Sequence, residues 1–145
     1  MKRTLLIILV VMLIFTMALS PMAFADSKSS RIGTIINGQH RIIMNGYARY
    51  VPVGTQVGLG YNDANMGTTY ARTAQMSLNY VRNTCSGLYY NTLAEDGIYG
   101  NNSYSAASAF QQWWNDHRAS FDNSVISVDG VCGDQSWARF SVLCL

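Results

Sequence analysis

Charged side chains are scarce in this sequence: 10 basic and 8 acidic residues make up 12% of 145 residues. Lys2 and Arg3 lie in an N-terminal segment that we expect to be removed, which leaves 8 basic and 8 acidic residues and a net charge near zero. A neutral chain offers no electrostatic attraction for nucleic acid or for an anionic membrane surface. Neither class of partner is therefore expected.

Metal-ligating and nucleophilic residues are also few. The chain has three cysteines and two histidines, without a Cys-x-x-Cys pair, and this spacing predicts neither a metal site nor a cofactor. A nucleophile needs a base within hydrogen-bond reach. His117, beside Asp116, is the one histidine that we considered as a partner for Cys132, and an exposed loop histidine is the simpler interpretation. The adjacent carboxylates of Glu95 and Asp96 lack a sugar cleft between them, so we predict a non-enzyme.

The N-terminus has the pattern of a secretory signal peptide. "MKR" precedes the apolar run "TLLIILVVMLIFTMAL", and Ala23-Phe24-Ala25 forms a cleavage site. The alternative is an uncleaved membrane anchor, because the run is long enough to span a bilayer. Cleavage after Ala25 leaves 120 of the 145 residues, enough for one domain with a modest core. No later segment is apolar enough to cross a membrane, so we expect a secreted protein.

Export makes a disulfide plausible, and an odd number of cysteines leaves one thiol free or paired between chains. A helix over about residues 135–142 would separate Cys132 from Cys144 by more than a disulfide spans. Cys85 is therefore the expected shared partner, with either of the other two.

The pattern along the mature chain changes near residue 66. Residues 26–66 are glycine-rich and contain Asn37-Gly38 and Asn45-Gly46, which predict an irregular β-hairpin segment, the alternative being an extended tail. Residues 67–145 show helical spacing of apolar residues and predict a small three-helix bundle, so the fold class is mainly α. The three apolar stripes are Tyr70, Ala74, Leu78 and Val81, then Ala106, Ala109, Phe110 and Trp113, then Trp137 and Phe140. The second helix is expected to follow Ser103 and to end around Asn115.

A short phrase occurs twice, as "DGIYGNNSY" at residues 96–104 and "DGVCGDQSW" at residues 129–137. Each copy precedes a predicted helix. Asp96 and Asp129 are suited to Asx-turns, and the glycine after each can adopt a positive φ. The phrase therefore predicts a turn that starts a helix at a fixed angle.

Further roles are predicted for the rest of the phrase. We expect Ile98 and Val131 to enter the core, and Gly100 and Gly133 to allow a sharp turn. A helix cap is expected from one of four side chains. The candidates are Asn101, Ser103, Asp134 and Ser136.

With these residues in place, the chain from about residue 67 to 145 resembles the peptidoglycan-binding domain family of three-helix modules. The matching positions are Gln75, Leu78, Asp96, Gly97, Tyr99, Gly100, Ser103, Ala106, Phe110, Gln111, Asp129, Gly130, Gly133, Ser136 and Trp137. The chain departs from the family in the 17 residues 112–128, an enlarged surface loop, in Cys132 at a usually aliphatic position, and in residues 26–66, which have no counterpart.

The resemblance implies non-covalent attachment to bacterial cell wall. Modules of that family usually accompany a catalytic domain, and we expect no room for one in this chain. Flat aromatic faces and side-chain amides bind sugars and their peptide stems, so residues of these types near the first turn are the candidate binding residues. They are Tyr89, Tyr90, Asn91, Tyr99, Asn101, Asn102, Tyr104 and Trp114.

Other functions stay open. The same fold can serve as a protein–protein module in envelope assembly or inhibition, with residues 31–66 docking on a partner's sheet and the leftover cysteine linking a covalent dimer. A wall-hydrolase accessory with weak or no activity of its own is the further alternative.

Overall fold

The computed structural model describes residues 34–144, so the predicted signal peptide and residues 26–33 lie outside the described part. Three strands come first: β1 (Thr34–Ile36), β2 (Gln39–Met44) and β3 (Tyr47–Pro52). Four helices follow: α1 (Asp63–Met66), α2 (Tyr70–Thr84), α3 (Asn101–His117) and α4 (Asp134–Leu143), with a 3-10 turn at Arg118–Ser120. The architecture is mixed, with a small antiparallel sheet beside the helices, rather than plainly all-α.

Both Asn-Gly pairs form the tight turns that the sequence predicts. Asn37 and Gly38 have φ values of 52° and 74°, and Asn45 and Gly46 have 51° and 81°. Two successive left-handed residues match the twist of antiparallel strands, which is why Asn-Gly is favoured there. The strands pair in the order β1-β2-β3. Residues 34–52 thus form a regular meander, which is more ordered than we expected, whereas residues 53–62 run as turns and isolated bridges.

The sheet packs one face against the helices. Alternate residues of β2, His40, Ile42 and Met44, are buried, as the period-2 alternation of a strand requires. The backbone N–H of Ile43 donates to the Cys144 carbonyl at 3.1 Å, which joins β2 to the end of α4. Sheet and helices share one apolar core, although the domain boundary at residue 66 itself stays a prediction.

The helical stripes lie where the spacing predicts them. On α2, Ala74, Leu78 and Val81 are fully buried, and on α3 Phe110 stacks on Phe140 of α4 with ring centroids 4.7 Å apart. Helix α3 begins two residues before Ser103 and ends at His117 rather than around Asn115. Within residues 34–144, no helix has the length and apolarity needed to cross a bilayer.

The repeated phrases form turn 1 (residues 96–103) and turn 2 (residues 129–136). Gly97 and Gly130 have φ values of 77° and 68°, and the backbone N–H groups of Ile98 and Val131 each donate to the preceding aspartate at 2.9 Å. The predicted Asx-turns with left-handed glycines are therefore confirmed.

The turn residues predicted to enter the core do not enter it fully. Ile98 is 54% exposed and Val131 is half-buried, and the fully buried residues are the next ones, Tyr99 and Cys132. The reason is that Ile98 pairs with Asn62 in an antiparallel bridge, and Val57 pairs with Cys132 in the same way, so neighbouring side chains point to opposite sides.

The helix caps also differ from the prediction. The N-cap residues are Gly100 and Gly133, and neither helix has a side-chain cap from Asn101, Ser103, Asp134 or Ser136. Both glycines have extended backbone and not a left-handed conformation. The chain reverses through backbone bonds instead: the N–H of Gly100 donates to the Ile98 carbonyl at 3.0 Å, and turn 2 repeats this bond.

The enlarged loop after α3 folds back on the helices. Phe121 stacks on Trp114 with centroids 4.7 Å apart, and Arg139 of α4 bonds Ser124. The side chain of Asn115 accepts from the Ile126 N–H at 2.9 Å and donates to its carbonyl at 2.8 Å. The loop is therefore anchored by specific contacts.

We predict that Gly130→Ala lowers the free energy of unfolding by about 2–4 kcal/mol, because a side chain at positive φ is strained and overpacked. A Cβ at this position would lie 2.4 Å from the Tyr104 ring. Gly100→Ala is the matched control, since nothing lies within 4 Å of its Cβ position, and it should change stability by less than about 0.5 kcal/mol. Urea denaturation measures both, and equal effects would contradict the assignment.

Candidate functional site

Each turn is held by one buried glutamine from the helix that precedes it. Gln75 on α2 and Gln111 on α3 are both 2% exposed. They lie 21 and 18 residues before the aspartates that they contact. A primary amide has two donors and an acceptor with two lone pairs, so it can satisfy several backbone groups of a turn at once.

At turn 1, the Nε2 of Gln75 lies 3.0 Å from the Asp96 carboxylate, 3.0 Å from the Ile98 carbonyl and 3.2 Å from the Ser103 hydroxyl. Its Oε1 accepts from the Gly97 N–H at 2.9 Å. These bonds connect α2, the turn and the first residues of α3. The amide therefore fixes the angle between two helices.

Turn 2 reproduces this network with equivalent residues. The Nε2 of Gln111 lies 3.0 Å from Asp129, 3.0 Å from the Val131 carbonyl and 3.3 Å from Ser136. Its Oε1 accepts from the Gly130 N–H at 2.9 Å. These residues were predicted to be structural, but the clamping role of the two glutamines was not predicted from the sequence. The signal available was their matching position on successive helices.

The two turns differ in what covers them. At turn 2, the Asp134 carboxylate accepts from the Gly54 N–H at 2.8 Å and lies 2.9 Å from the His40 ring, so the sheet closes over the turn. The equivalent position in turn 1 is Asn101, which is exposed together with Asn102. At this position turn 1 is therefore open to solvent, whereas turn 2 contacts the N-terminal segment. Turn 2 still has exposed polar side chains, Asp129 and Gln135, beside a hollow of about 310 Å³.

Three neighbouring hollows lead away from turn 1, and we call them together the turn-1 groove. It begins in a hollow of about 400 Å³ beside Asp96 and Asn101. Asn102 lines both this hollow and the next one, of about 270 Å³, which Tyr90 and Asn91 also line. The last hollow, of about 760 Å³, is formed by residues 82–91. The turn-1 groove thus contains Tyr90, Asn91, Asn101 and Asn102, and Tyr89 lies at the end away from turn 1.

The two tyrosines of the turn-1 groove differ in how exposed they are. Tyr89 is 85% exposed and free to stack on a ligand. Tyr90 is half-buried, and its hydroxyl donates to the Leu78 carbonyl at 2.6 Å, so one face and edge of its ring belong to the fold. Burial raises the pKa of Tyr90, with smaller contributions from nearby thiols. Tyr90 is therefore a fixed wall of the groove.

Three of the candidate binding residues lie elsewhere. Tyr99 is fully buried, and its hydroxyl donates to the Gly130 carbonyl at 2.9 Å. Trp114 is also fully buried and lies under Phe121. Both are therefore core residues and present no surface to a ligand. Tyr104 is 37% exposed, but its ring packs against Gly130 on the side of turn 2.

The structure does not bring His117 and Cys132 together. The His117 ring stacks on Trp113 with centroids 4.5 Å apart, and its Nδ1 lies 2.8 Å from the Trp113 carbonyl. Cys132 is fully buried and 3.5 Å from the Tyr99 hydroxyl. Burial raises the pKa of its thiol to about 12. Among residues 34–144, no three histidine, cysteine or acidic side chains cluster closely enough to hold a metal ion.

No protein-family model matches this chain, and neither a curated protein nor a solved structure matches it. The resemblance to peptidoglycan-binding modules therefore depends on the motif residues of the chain and on the contacts described above.

We predict that Gln111→Leu lowers the free energy of unfolding by about 2–4 kcal/mol, because backbone and side-chain groups of turn 2 lose their buried partner. Gln112→Leu makes the same chemical change at the next, exposed position, where the amide bonds only Asp116 at 2.9 Å, and should cost less than about 0.5 kcal/mol. If both variants lose the same free energy of unfolding in chemical denaturation, the clamping role of Gln111 is contradicted.

Asp96 should contribute to acid sensitivity. The Ile98 N–H and then the Gln75 amide hold the pKa of this carboxyl below its ordinary value. A carboxyl with a lowered folded pKa stabilises the fold above its unfolded pKa of about 3.9, and this stabilisation is lost as pH falls through the folded pKa. We expect Asp96→Asn to lose less stability than wild type between about pH 6 and about pH 2, measured by thermal melts. If Asp96→Asn loses as much stability as wild type over this pH range, the contribution of Asp96 is refuted.

Proposed function

We propose that the chain is a secreted, non-catalytic protein that binds peptidoglycan or a related cell-wall polymer through the turn-1 groove. The observation that carries this proposal is the duplicated glutamine-clamped turn. The residues that the peptidoglycan-binding motif requires, Gln75 with Asp96 and Gln111 with Asp129, are the ones that build the two equivalent networks. The motif residues thus have a physical role in this chain, which supports the proposal.

The chemistry of the groove suits a glycan or its peptide stem. Its lining combines amides with phenol rings, and such groups exchange hydrogen bonds with hydroxyls and amides while the rings cover apolar faces. Asn91, Asn101, Asn102 and Tyr89 are exposed side chains of this kind. The few charges at its margins, Arg82 among them, include both signs. Binding should therefore depend weakly on salt.

Secretion is part of the same proposal. A signal peptide over residues 1–25 would deliver the mature chain to the wall, and the neutral composition of that chain fits a protein that is not attracted to membranes or nucleic acid. The organism would be a bacterium, in keeping with the polymer that the module family recognises.

One observation favours a second candidate, a protein–protein module. Strand β3 is at the edge of the sheet, so its backbone is free to pair on one side. Tyr47 is 76% exposed and Tyr50 47% exposed on this strand. A partner's extended segment can add to such an edge, in agreement with the docking role considered for residues 31–66.

Co-sedimentation of residues 26–145 with protein-free peptidoglycan, at low and high salt, tests the first candidate against the second. We expect saturable pelleting that resists salt. A chain that stays in the supernatant, although circular dichroism shows it folded, would overturn wall binding and direct attention to a partner for β3.

Matched tyrosine variants locate the site. Tyr89→Ala removes an 85% exposed ring in the groove, and Tyr47→Ala removes a 76% exposed ring on the sheet. We predict that Tyr89→Ala and Asn102→Ala each weaken binding about tenfold, which corresponds to about 1.4 kcal/mol, whereas Tyr47→Ala leaves it unchanged. Loss of wall binding with Tyr47→Ala alone would contradict the assignment to the turn-1 groove.

A further inference from the structure

The three cysteines are thiols in the structure, in different surroundings. Cys85 is half-buried, whereas Cys132 and Cys144 are fully buried. The sequence analysis expected a disulfide that includes Cys85 and left its partner open. No disulfide is formed among the described residues, but the positions of the thiols decide which pair is able to form one.

Cys132 and Cys144 are too far apart to pair. Helix α4 lies between them and has 10 residues, so its axis alone separates them by about 15 Å. The Cα atoms of a disulfide are less than about 7 Å apart. Cys132 is instead held near the Tyr99 hydroxyl, at 3.5 Å, and it joins residue Val57 through two backbone hydrogen bonds.

Cys85 and Cys144 lie at the same end of the molecule. Each is the residue that ends its helix, Cys85 after α2 and Cys144 after α4. Strand β2 connects the two ends: the Ile43 N–H donates to the Cys144 carbonyl, and the next residue, Met44, lines a hollow together with Thr84. The side chain of Cys85 packs against the core cluster, which contains both Cys144 and Cys132, so the contacts through β2 are the ones that distinguish Cys144.

The electrostatic surroundings agree with this placement. Burial raises the pKa of Cys144 to about 12, and the second contribution comes from Cys85. The neighbours that act on Cys132 are Tyr99 and Asp129. Cys85 therefore contributes to the electrostatic surroundings of Cys144, and no cysteine is among the neighbours that act on Cys132.

We propose that Cys85 and Cys144 form an intramolecular disulfide in an oxidising compartment, while Cys132 remains a buried thiol. The oxidant is a low-molecular-weight disulfide of the glutathione class. The Cys85 thiolate attacks one sulfur and releases one thiol, and the Cys144 thiolate then attacks the mixed disulfide and releases the second. The protein loses two protons and two electrons, and the oxidant becomes two thiols.

This bond has two physical consequences. It ties Cys85, which begins the loop that carries Tyr89 and Tyr90, to the end of α4. It also closes the loop of residues 85–144, which restricts the unfolded chain. Because the remaining thiol of Cys132 is fully buried, we do not expect the oxidised protein to form the disulfide-linked dimer that the odd number of cysteines allowed.

Peptide mapping tests the pairing directly, because trypsin places the three cysteines in three peptides, residues 83–118, 119–139 and 140–145. The purified protein is incubated with oxidised glutathione, alkylated after denaturation and digested without reductant. We expect peptide 83–118 linked to peptide 140–145, and peptide 119–139 alkylated at Cys132. Linkage of 83–118 to 119–139, or alkylation of all three peptides, would overturn the proposal.

Cysteine variants distinguish the loss of the disulfide from the loss of the fold. Cys132→Ala should still lose about 2 Da on oxidation and gain on the order of 10 °C in melting temperature. Cys85→Ser, at a half-buried position, should stay folded by circular dichroism, lose no mass and show no gain. A mass loss in folded Cys85→Ser would show that another pair forms. These readouts do not involve wall binding, so they remain valid whether or not that proposal holds.

Discussion

The buried amide of a glutamine at each helix junction is the interaction on which the rest of this structure depends. Gln75 and Gln111 each bond an aspartate, a backbone carbonyl and a serine. Hydrogen bonds of this kind contribute about 1 kcal/mol each when made and cost more when one buried partner is left unpaired. A clamp of this type fixes where each helix starts without a side-chain cap, and so sets the shape of the whole bundle.

The two glutamine-clamped turns have equivalent internal hydrogen bonds but different surroundings. This difference makes turn 1 the candidate binding site. The sheet reaches turn 2 through His40 and Gly54, which both contact Asp134. Turn 1 has Asn101 at the equivalent position, exposed beside a groove of amides and phenols. The N-terminal segment contacts the backbone of both turns, at Tyr99 and at Cys132, and adds at turn 2 a contact to the Asp134 side chain that turn 1 lacks.

Local chemistry made much of this fold predictable. Asn-Gly pairs, helical stripes and Asx-turns depend on a few neighbouring residues, and all three appear where the sequence indicated. The errors arose from tertiary contacts. Trp114 lies at the edge of its helical stripe, and the returning loop buries it through Phe121 and Ser124. Tyr99, rather than Ile98, enters the core because residues 97–99 run beside a distant segment. Of the predicted binding residues, Tyr89, Asn91 and Asn102 are exposed, and their role in binding stays a prediction.

The most direct test of the central claim is an amide chemical-shift map of the isotope-labelled protein, titrated with a soluble peptidoglycan fragment. The account predicts saturable shifts for Tyr89, Asn91, Asn101 and Asn102, with the amide of Asp134 at turn 2 unaffected. Shifts confined to turn 2 or to strand β3 would contradict it. The absence of any shift with the fragment in large excess over the protein would also contradict it.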